Sequence, residues 1–297
     1  MTQISDKLYC VKLTDYTANP DLTFELLSSL ECYFSSYEDR ESGAMYLVAY
    51  SETLEGADIL AEQIERNMPF WSEAGAIFSD VERFELAREE WSEVWKKYFK
   101  IIHIADNLVI RPSWLDYTPQ AGQAVVNIDP GMSFGTGQHA TTAYCLKVLA
   151  REAGKSEYQK ILDAGCGSGI LAIAAKLLDY PTVTAYDYDQ DCVKVTLENM
   201  QCNDLTADDI EVFAADATTY DAPEQFDLAC VNILSPILCA HASRIISWVR
   251  PDGLLALAGI LTQDFDELSK VFTAAGAVEL ERFTEKEWTS GLFRRKC

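Results

Sequence analysis

The side chains best suited to chemistry fall in four short stretches. The first is Asp163-Ala164-Gly165-Cys166-Gly167-Ser168-Gly169, preceded by the apolar pair Ile161-Leu162 and followed by a breaker-free run over 170–178. It reads as a buried strand, a tight turn and the start of a helix. Glycines at this spacing let the backbone turn sharply and let a ligand approach without a Cβ in the way. The third glycine of the dinucleotide fingerprint falls one place later, where this chain has Ile170. Taken alone, the pattern also fits an ordinary tight turn. The second stretch, Val183-Thr184-Ala185-Tyr186-Asp187, is a β-like run ending in an acid. Asp187 follows Gly165 by about the interval at which such folds place a carboxylate for a ribose diol, because one carboxylate offers acceptors to two hydroxyl donors. The alternative for Asp187 or Asp189 is to cap a helix over 190–203.

The third stretch runs Asp129-Pro130-Gly131-Met132-Ser133-Phe134-Gly135-Thr136-Gly137-Gln138-His139-Ala140-Thr141-Thr142. It leads into an apolar helix near 142–150, whose first N–H groups are free to meet an anion such as a carboxylate. Thr141 and Thr142 could bond the same ligand, or a threonine could cap the helix. The fourth is Asn232, at the end of an apolar run and followed by Ile233-Leu234-Ser235-Pro236. Its amide either serves the site or caps the helix that Pro236 opens. Asp216 occupies a similar strand-end position. Nothing in these stretches identifies a catalytic acid or base.

The elements that must hold these residues alternate. Strands are expected near 182–187, 210–215, 226–232, 254–260, 277–283 and 289–295, with helices near 170–178, 190–203, 236–249 and 262–275. Such alternation argues for an α/β sheet covered on both faces, with ligands gathering at the carboxyl ends of the strands. The first third of the chain reads differently. Strands are expected at 7–13, 34–39, 44–50 and 76–81. One helix begins at Asn19-Pro20, and a second, marked by Leu54, Ala57, Leu60, Ala61 and Ile64, closes near Asn67 and Pro69. The order β-α-β-β-α-β is the ferredoxin-like, split βαβ arrangement. Residues 84–100 then read as an amphipathic helix with an aromatic stripe, followed by a hairpin around Asp106-Asn107. The expected domains are 1–95, a linker over 96–120, and 121–297.

The chain has 297 residues, 48% hydrophobic and 24% charged, and a formal net charge of −23. It is globular by composition, without an apolar run long enough for a membrane span or a secretory signal at its start. Such a charge repels nucleic acid and anionic membranes and attracts basic proteins. Residues 1–95 hold 20 of the 47 acids but only 6 of the 24 bases. Nine scattered cysteines without a C-x-x-C pair read as reduced thiols of a cytoplasmic protein. His103, His139 and His241 lack metal-ligand spacing, so no metal site is expected.

Three blocks then carry a family resemblance. They are Trp91-Ser-Glu-Val-Trp95-Lys-Lys-Tyr-Phe99 with Val109-Ile-Arg-Pro-Ser-Trp114; Phe134-Gly-Thr-Gly-Gln-His-Ala-Thr-Thr142; and Val231-Asn232-Ile233-Leu234. Together with the glycine turn they resemble the bacterial ribosomal protein L11 methyltransferase family, within the class I methyltransferases that use S-adenosylmethionine. The resemblance covers about 90–295; the N-terminal domain fits by topology. It implies a Rossmann-like seven-stranded α/β sheet with a smaller N-terminal α+β ferredoxin-like domain that binds a basic substrate, the large-subunit ribosomal protein L11. It further implies that Thr142, Gly165, Asp187 and Asn232 contact the cofactor. Gly165 and Gly167 would line its methionine end, Asp187 would take its ribose, and Phe134 would lie near the reacting region. Methylation of several amines on one substrate follows as well, which requires domain mobility or repeated rebinding. Two residues depart from the family pattern: Ala140 stands in place of proline and Gln138 in place of threonine. Asn232-Ile-Leu differs from the asparagine-proline-proline-aromatic motif used on planar nitrogens, which favours amines such as lysine side chains or an N-terminus. Other readings of the same residues are a methyltransferase of another basic protein, a nicotinamide-dependent oxidoreductase and a non-catalytic cofactor-binding protein.

Overall fold

The computed structural model describes residues 7–17, 23, 34–38, 45–51, 53–73, 75–87, 100–128 and 139–297. The chain divides into two compact units, Met1–Phe99 and Lys100–Cys297. In the first, β1 (Lys7–Asp15), β2 (Phe34–Glu38), β3 (Met45–Ser51) and β4 (Glu82–Ala87) form an antiparallel sheet in the order β2-β3-β1-β4. Helix α1 (Leu54–Glu73) lays Ala57, Leu60, Ala61 and Ile64 over Val11, Leu13, Leu47 and Ala49. The helix expected to begin at Asn19-Pro20 lies outside the described residues.

Two expectations for this unit need correction. Helix α1 does not stop near Asn67 but continues through Pro69 to Glu73. Proline removes one backbone donor, and the burial of Trp71 against Phe78 beyond it favours continuation. The fourth strand is not 76–81, where only a bridge between Phe78 and Asp15 forms. It is β4, whose last four residues, 84–87, were expected to open the helix over 84–100. Cross-strand pairing explains the choice: Glu82 and Glu85 meet Lys12 and Lys7 on β1, while Arg83 reaches Glu65 and Asp58 on α1. The rest of that expected helix, 88–99, lies outside the described residues.

The second unit opens with a hairpin of β5 (Ile102–Ala105) and β6 (Leu108–Arg111), with β7 (Ala124–Asn127) parallel to β6. Ile104, Leu108, Ile110 and Val126 are buried in this unit's core, so residues 102–111 pack as part of it. There follow α2 (Ala140–Glu152), β8 (Lys160–Ala164), α3 (Ile170–Leu177), β9 (Thr182–Asp187), α4 (Gln190–Gln201), β10 (Glu211–Ala214) and β11 (Phe226–Asn232). The remainder is α5 (Ser235–Ala240), α6 (Ala242–Ser247), β12 (Val249–Leu261), α7 (Thr262–Ala274), β13 (Ala277–Glu285) and β14 (Trp288–Arg295). The seven strands from β8 onward form one sheet in the order β10-β9-β8-β11-β12-β14-β13. The first five are parallel; β14 runs antiparallel to β12 and β13.

Central strands buried on both faces read as near-continuous apolar runs, and alternate residues here supply two separate cores. Ile161, Leu228, Cys230, Leu254 and Ala256 face α2 and α3. Leu162, Ala229, Val231, Leu255 and Leu257 face α5, α6 and α7. The helix expected over 236–249 is broken at His241, and β12 begins at Val249, five residues before the expected start. The early start of β12 follows from Trp248, fully buried with its Nε1 donating to the Tyr220 carbonyl and its ring edge on Tyr186. It pins the chain to the sheet where the helix would otherwise continue. Trp248→Ala should cost ~3–5 kcal/mol, the usual loss for a buried large aromatic, measured by urea unfolding of the purified protein.

Candidate functional site

Described residues of the four stretches converge on the carboxyl ends of β8, β9 and β11. Thr142, Gly165, Gly167 and Asn232 line one small cavity, together with Cys166, Ile170 and Leu171. The turn after β8 is latched to the neighbouring strand, because the N–H groups of Gly165 and Cys166 both donate to the Tyr186 carbonyl, at 2.9 and 3.0 Å. Gly165 adopts φ 78°, and a Cβ there would come within 2.5 Å of Ile233 Cγ2. Glycine is therefore required twice over, by backbone hand and by space.

Asp187, 6% exposed, accepts from the Gly167 N–H at 2.9 Å through Oδ2 and from the Asp189 N–H at 3.0 Å through Oδ1. Each oxygen keeps lone-pair capacity beyond these bonds. The helix-capping task falls to Asp189, which accepts from the Asp191 N–H at 2.8 Å. Asn232 does not cap α5, whose N-cap is Leu234. Its Nδ2 instead reaches Thr142 Oγ1 at 3.4 Å, across 90 residues of sequence. Helix α2 begins at Ala140, so neither threonine is its cap; Thr141 and Thr142 are buried in its first turn. Asp216 is outside the cavity lining and exposed, and it organises a turn through the Thr218 N–H. Phe134 and the segment 129–138 lie outside the described residues.

One buried acid behind the cavity wall was given no role from the sequence. Asp163 is 1% exposed; its Oδ2 accepts from the Ala172 N–H at 3.1 Å, and its Oδ1 is buried with no hydrogen-bond partner among the described residues. Burial is the main force raising its carboxyl, opposed by the Ala172 bond and reinforced by Asp187, and the result is pushed up to about 7. Among the described residues no Lys, Arg or His pairs with Asp163 or Asp187. The available signal was an acid interrupting an apolar strand two residues before a glycine turn. Cys166, in the cavity wall, meets Thr196 Oγ1 at 3.4 Å, and burial pushes its thiol well above the ordinary range.

A larger hollow, about 510 Å³, opens at the opposite, amino ends of the strands and is lined in part by Lys160, Thr182, Asp227 and Arg250. Its charges are already engaged. Asp227 bonds Arg250 and two backbone N–H groups, which outweigh burial and keep its carboxyl low. The chemically useful groups are at the other edge.

A seven-stranded sheet with one reversed strand, a glycine turn after its first strand in chain order and an acid ending the next strand define a class I S-adenosylmethionine-dependent methyltransferase. The sequence model of the family described as "Ribosomal protein L11 methyltransferase (PrmA)" matches residues 13–296. A ribosomal protein L11 methyltransferase of Streptococcus pyogenes serotype M3 is 34% identical over 264 residues, 87% of this chain and 81% of the relative. A solved ribosomal protein L11 methylase from Lactobacillus delbrueckii subsp. bulgaricus superposes with a TM-score of 0.59 at 28% identity, covering 67% of this chain and all of that one. The chain belongs to the ribosomal protein L11 methyltransferase family. Among the described residues no helix is long and apolar enough to cross a membrane, and no cluster of His, Cys, Asp and Glu could hold a metal ion.

The buried carboxyl gives a signed pH dependence. A carboxyl whose folded pKa is raised makes the folded state bind more protons than the unfolded state between the two values. The ligand-free protein should therefore lose stability relative to Asp163→Asn as pH rises from about 4 to about 7, with a constant difference above that window. Urea unfolding of both proteins across that range measures it.

Proposed function

We propose that this protein transfers methyl groups from S-adenosylmethionine to amino groups of ribosomal protein L11, in the cytoplasm. The observation that carries the reading is the gathering of Thr142, Gly165, Gly167 and Asn232 around one cavity, with Asp187 tied to it through the Gly167 N–H. The donor set suits the cofactor. Two acids without a basic partner among the described residues favour a cationic ligand, and a glycine at 165 leaves the wall free of a Cβ. In this reading Gly165 and Gly167 line the methionine end, the remaining acceptor capacity of Asp187 takes the ribose hydroxyls, and Thr142 and Asn232 close the cavity. Phe134 would stand near the reacting region.

When bound, the cofactor supplies a sulfonium methyl already activated toward a nucleophile. The chain's own residues must align an amine and exclude water. Alignment of this kind can be worth ~7 kcal/mol or more. The described cavity lining contains no carboxylate or imidazole to act as base. The substrate amine must therefore arrive neutral, and desolvation at the mouth lowers its pKa. The Asn232 amide spends an N–H on Thr142, which leaves its carbonyl oxygen as an acceptor for that amine. Lysine side chains and a free N-terminus are the amines of this kind on a protein.

The acidic excess of residues 1–95 supports a role for that region in drawing in a basic polypeptide. Residues 121–297 would carry the transfer, with 96–120 leading from one to the other. Incubation with labelled methyl donor and purified L11, followed by mass spectrometry, tests the reading: L11 should gain methyl groups on amines, and an unlabelled substrate would overturn it. Asp187→Ala should weaken cofactor binding at least about tenfold, the scale of losing a hydrogen-bonded charged acceptor, by titration calorimetry.

A further inference from the structure

The hairpin β13–β14 is the last element of the sheet and contributes none of the described cavity lining, yet it runs along the whole of α2. At the carboxyl end of that helix, Arg151 Nη1 reaches both oxygens of Glu281 at 3.0 and 2.9 Å. In the middle, the Tyr144 hydroxyl donates to Glu281 at 3.1 Å, the Tyr144 ring stacks on Phe283 at 6.2 Å, and Lys147 stands over the same phenyl ring. At the amino end, the His139 ring meets the Trp288 ring edge-on at 5.0 Å. His139 Nδ1 in turn lies 2.7 Å from Thr141 Oγ1, in the first turn of the helix, beside Thr142.

The hairpin is firmly held. Its tip is a two-residue turn between the paired Glu285 and Trp288, with Lys286 in the left-handed region at φ 53°. The Thr262 N–H donates to the Glu287 carbonyl at 2.8 Å. Thr289 Oγ1 bonds Thr262 and Thr284 at 3.0 and 2.8 Å. The tip is thus fixed to the first residue of α7, and anything resting on Trp288 is fixed with it. A cavity wall only holds a ligand well when its supporting shell is itself rigid.

We propose that Trp288 is a positioning residue for cofactor binding, acting through His139 on the first turn of α2 and so on Thr142. The inference rests on the reading of Thr142 as a cofactor contact. The Trp288 ring sets the place where the chain enters α2, and the hydrogen-bonded pair His139–Thr141 transmits that place to the cavity wall. Burial holds the His139 imidazole below its ordinary value against the pull of Glu287 and Glu285, with Lys286 acting in the same direction as burial. Its protonation state therefore reports whether the packing that buries it is intact.

The test compares Trp288→Ala and Trp288→Phe with the parent chain, using S-adenosylhomocysteine as the probe. Trp288→Ala should raise its Kd about tenfold, the effect of a displaced hydrogen-bonding wall, with the KM for the protein substrate unchanged. Trp288→Phe should restore most of the affinity. In Trp288→Ala the His139 resonance, one of only three histidines, should titrate higher than in the parent and return in Trp288→Phe. If Trp288→Ala does not fold, Trp288→Leu, which keeps apolar bulk without the ring, takes its place. Unchanged Kd in a folded variant, or a drop in melting temperature alone, overturns the proposal. Thr142→Val separates the two levels. If it binds the probe as tightly as the parent, the reading of Thr142 fails; if it binds weakly while Trp288→Ala does not, only the positioning role fails.

Discussion

The site depends on one short set of backbone hydrogen bonds. The turn after β8 gives two N–H groups to the Tyr186 carbonyl and a third, from Gly167, to the Asp187 side chain. These bonds join the ends of two adjacent parallel strands into one rim. They also account for the glycines. The turn can approach β9 only in a left-handed conformation, and at Gly165 it passes under Ile233, where a side chain would collide. Below the rim, the rings of Tyr186, Phe213, Tyr220 and Trp248 pack together. A carboxylate on the end of β9 is thereby held by the core rather than by a mobile loop.

The two-sided sheet divides the work. One face carries α2 and α3, which bring Thr142 and the helix start after the glycine turn to the rim. The other carries α5 to α7 and gives the carboxyl end of β11 a solid backing. Asn232 is the point where the two meet, since its backbone belongs to β11 and its amide reaches Thr142 on α2. The Asn232–Thr142 contact spans elements that are distant in sequence. Only the finished sheet brings them together.

Much of this unit could be read from residue order. The alternation of helices and strands from 160 onward, the glycine turn after a strand, and Asp187 and Asn232 at strand ends all match their expected places in the fold, because buried parallel strands and breaker-free helices leave strong periodic signals. The failures share a cause. At Pro69, at Val249 and at β4, local propensity pointed one way and long-range contacts decided the other: Trp71 on Phe78, Trp248 buried against Tyr186 and Tyr220, and glutamates meeting lysines on β1. Asp163 stands in the first stretch without a role of its own, because its importance lies in what surrounds it, an apolar interior and a second acid, which spacing cannot reveal. The clamp on α2 was equally invisible, since Glu281 lies 130 residues from Arg151 and 137 from Tyr144 on the helix it holds.

The buried thiol of Cys166 has a bearing on how such an enzyme survives its own reagent. A sulfonium donor is an alkylating agent, and a thiolate is among the best nucleophiles a protein can offer. In the cavity proposed for the donor, a cysteine in the wall is therefore a hazard to its owner. Burial together with the nearby Asp163 and Asp187 keeps that sulfur protonated, and so a poor competitor for the methyl group. In the proposed cofactor cavity, the buried acids behind the wall thus guard the protein against self-inflicted modification.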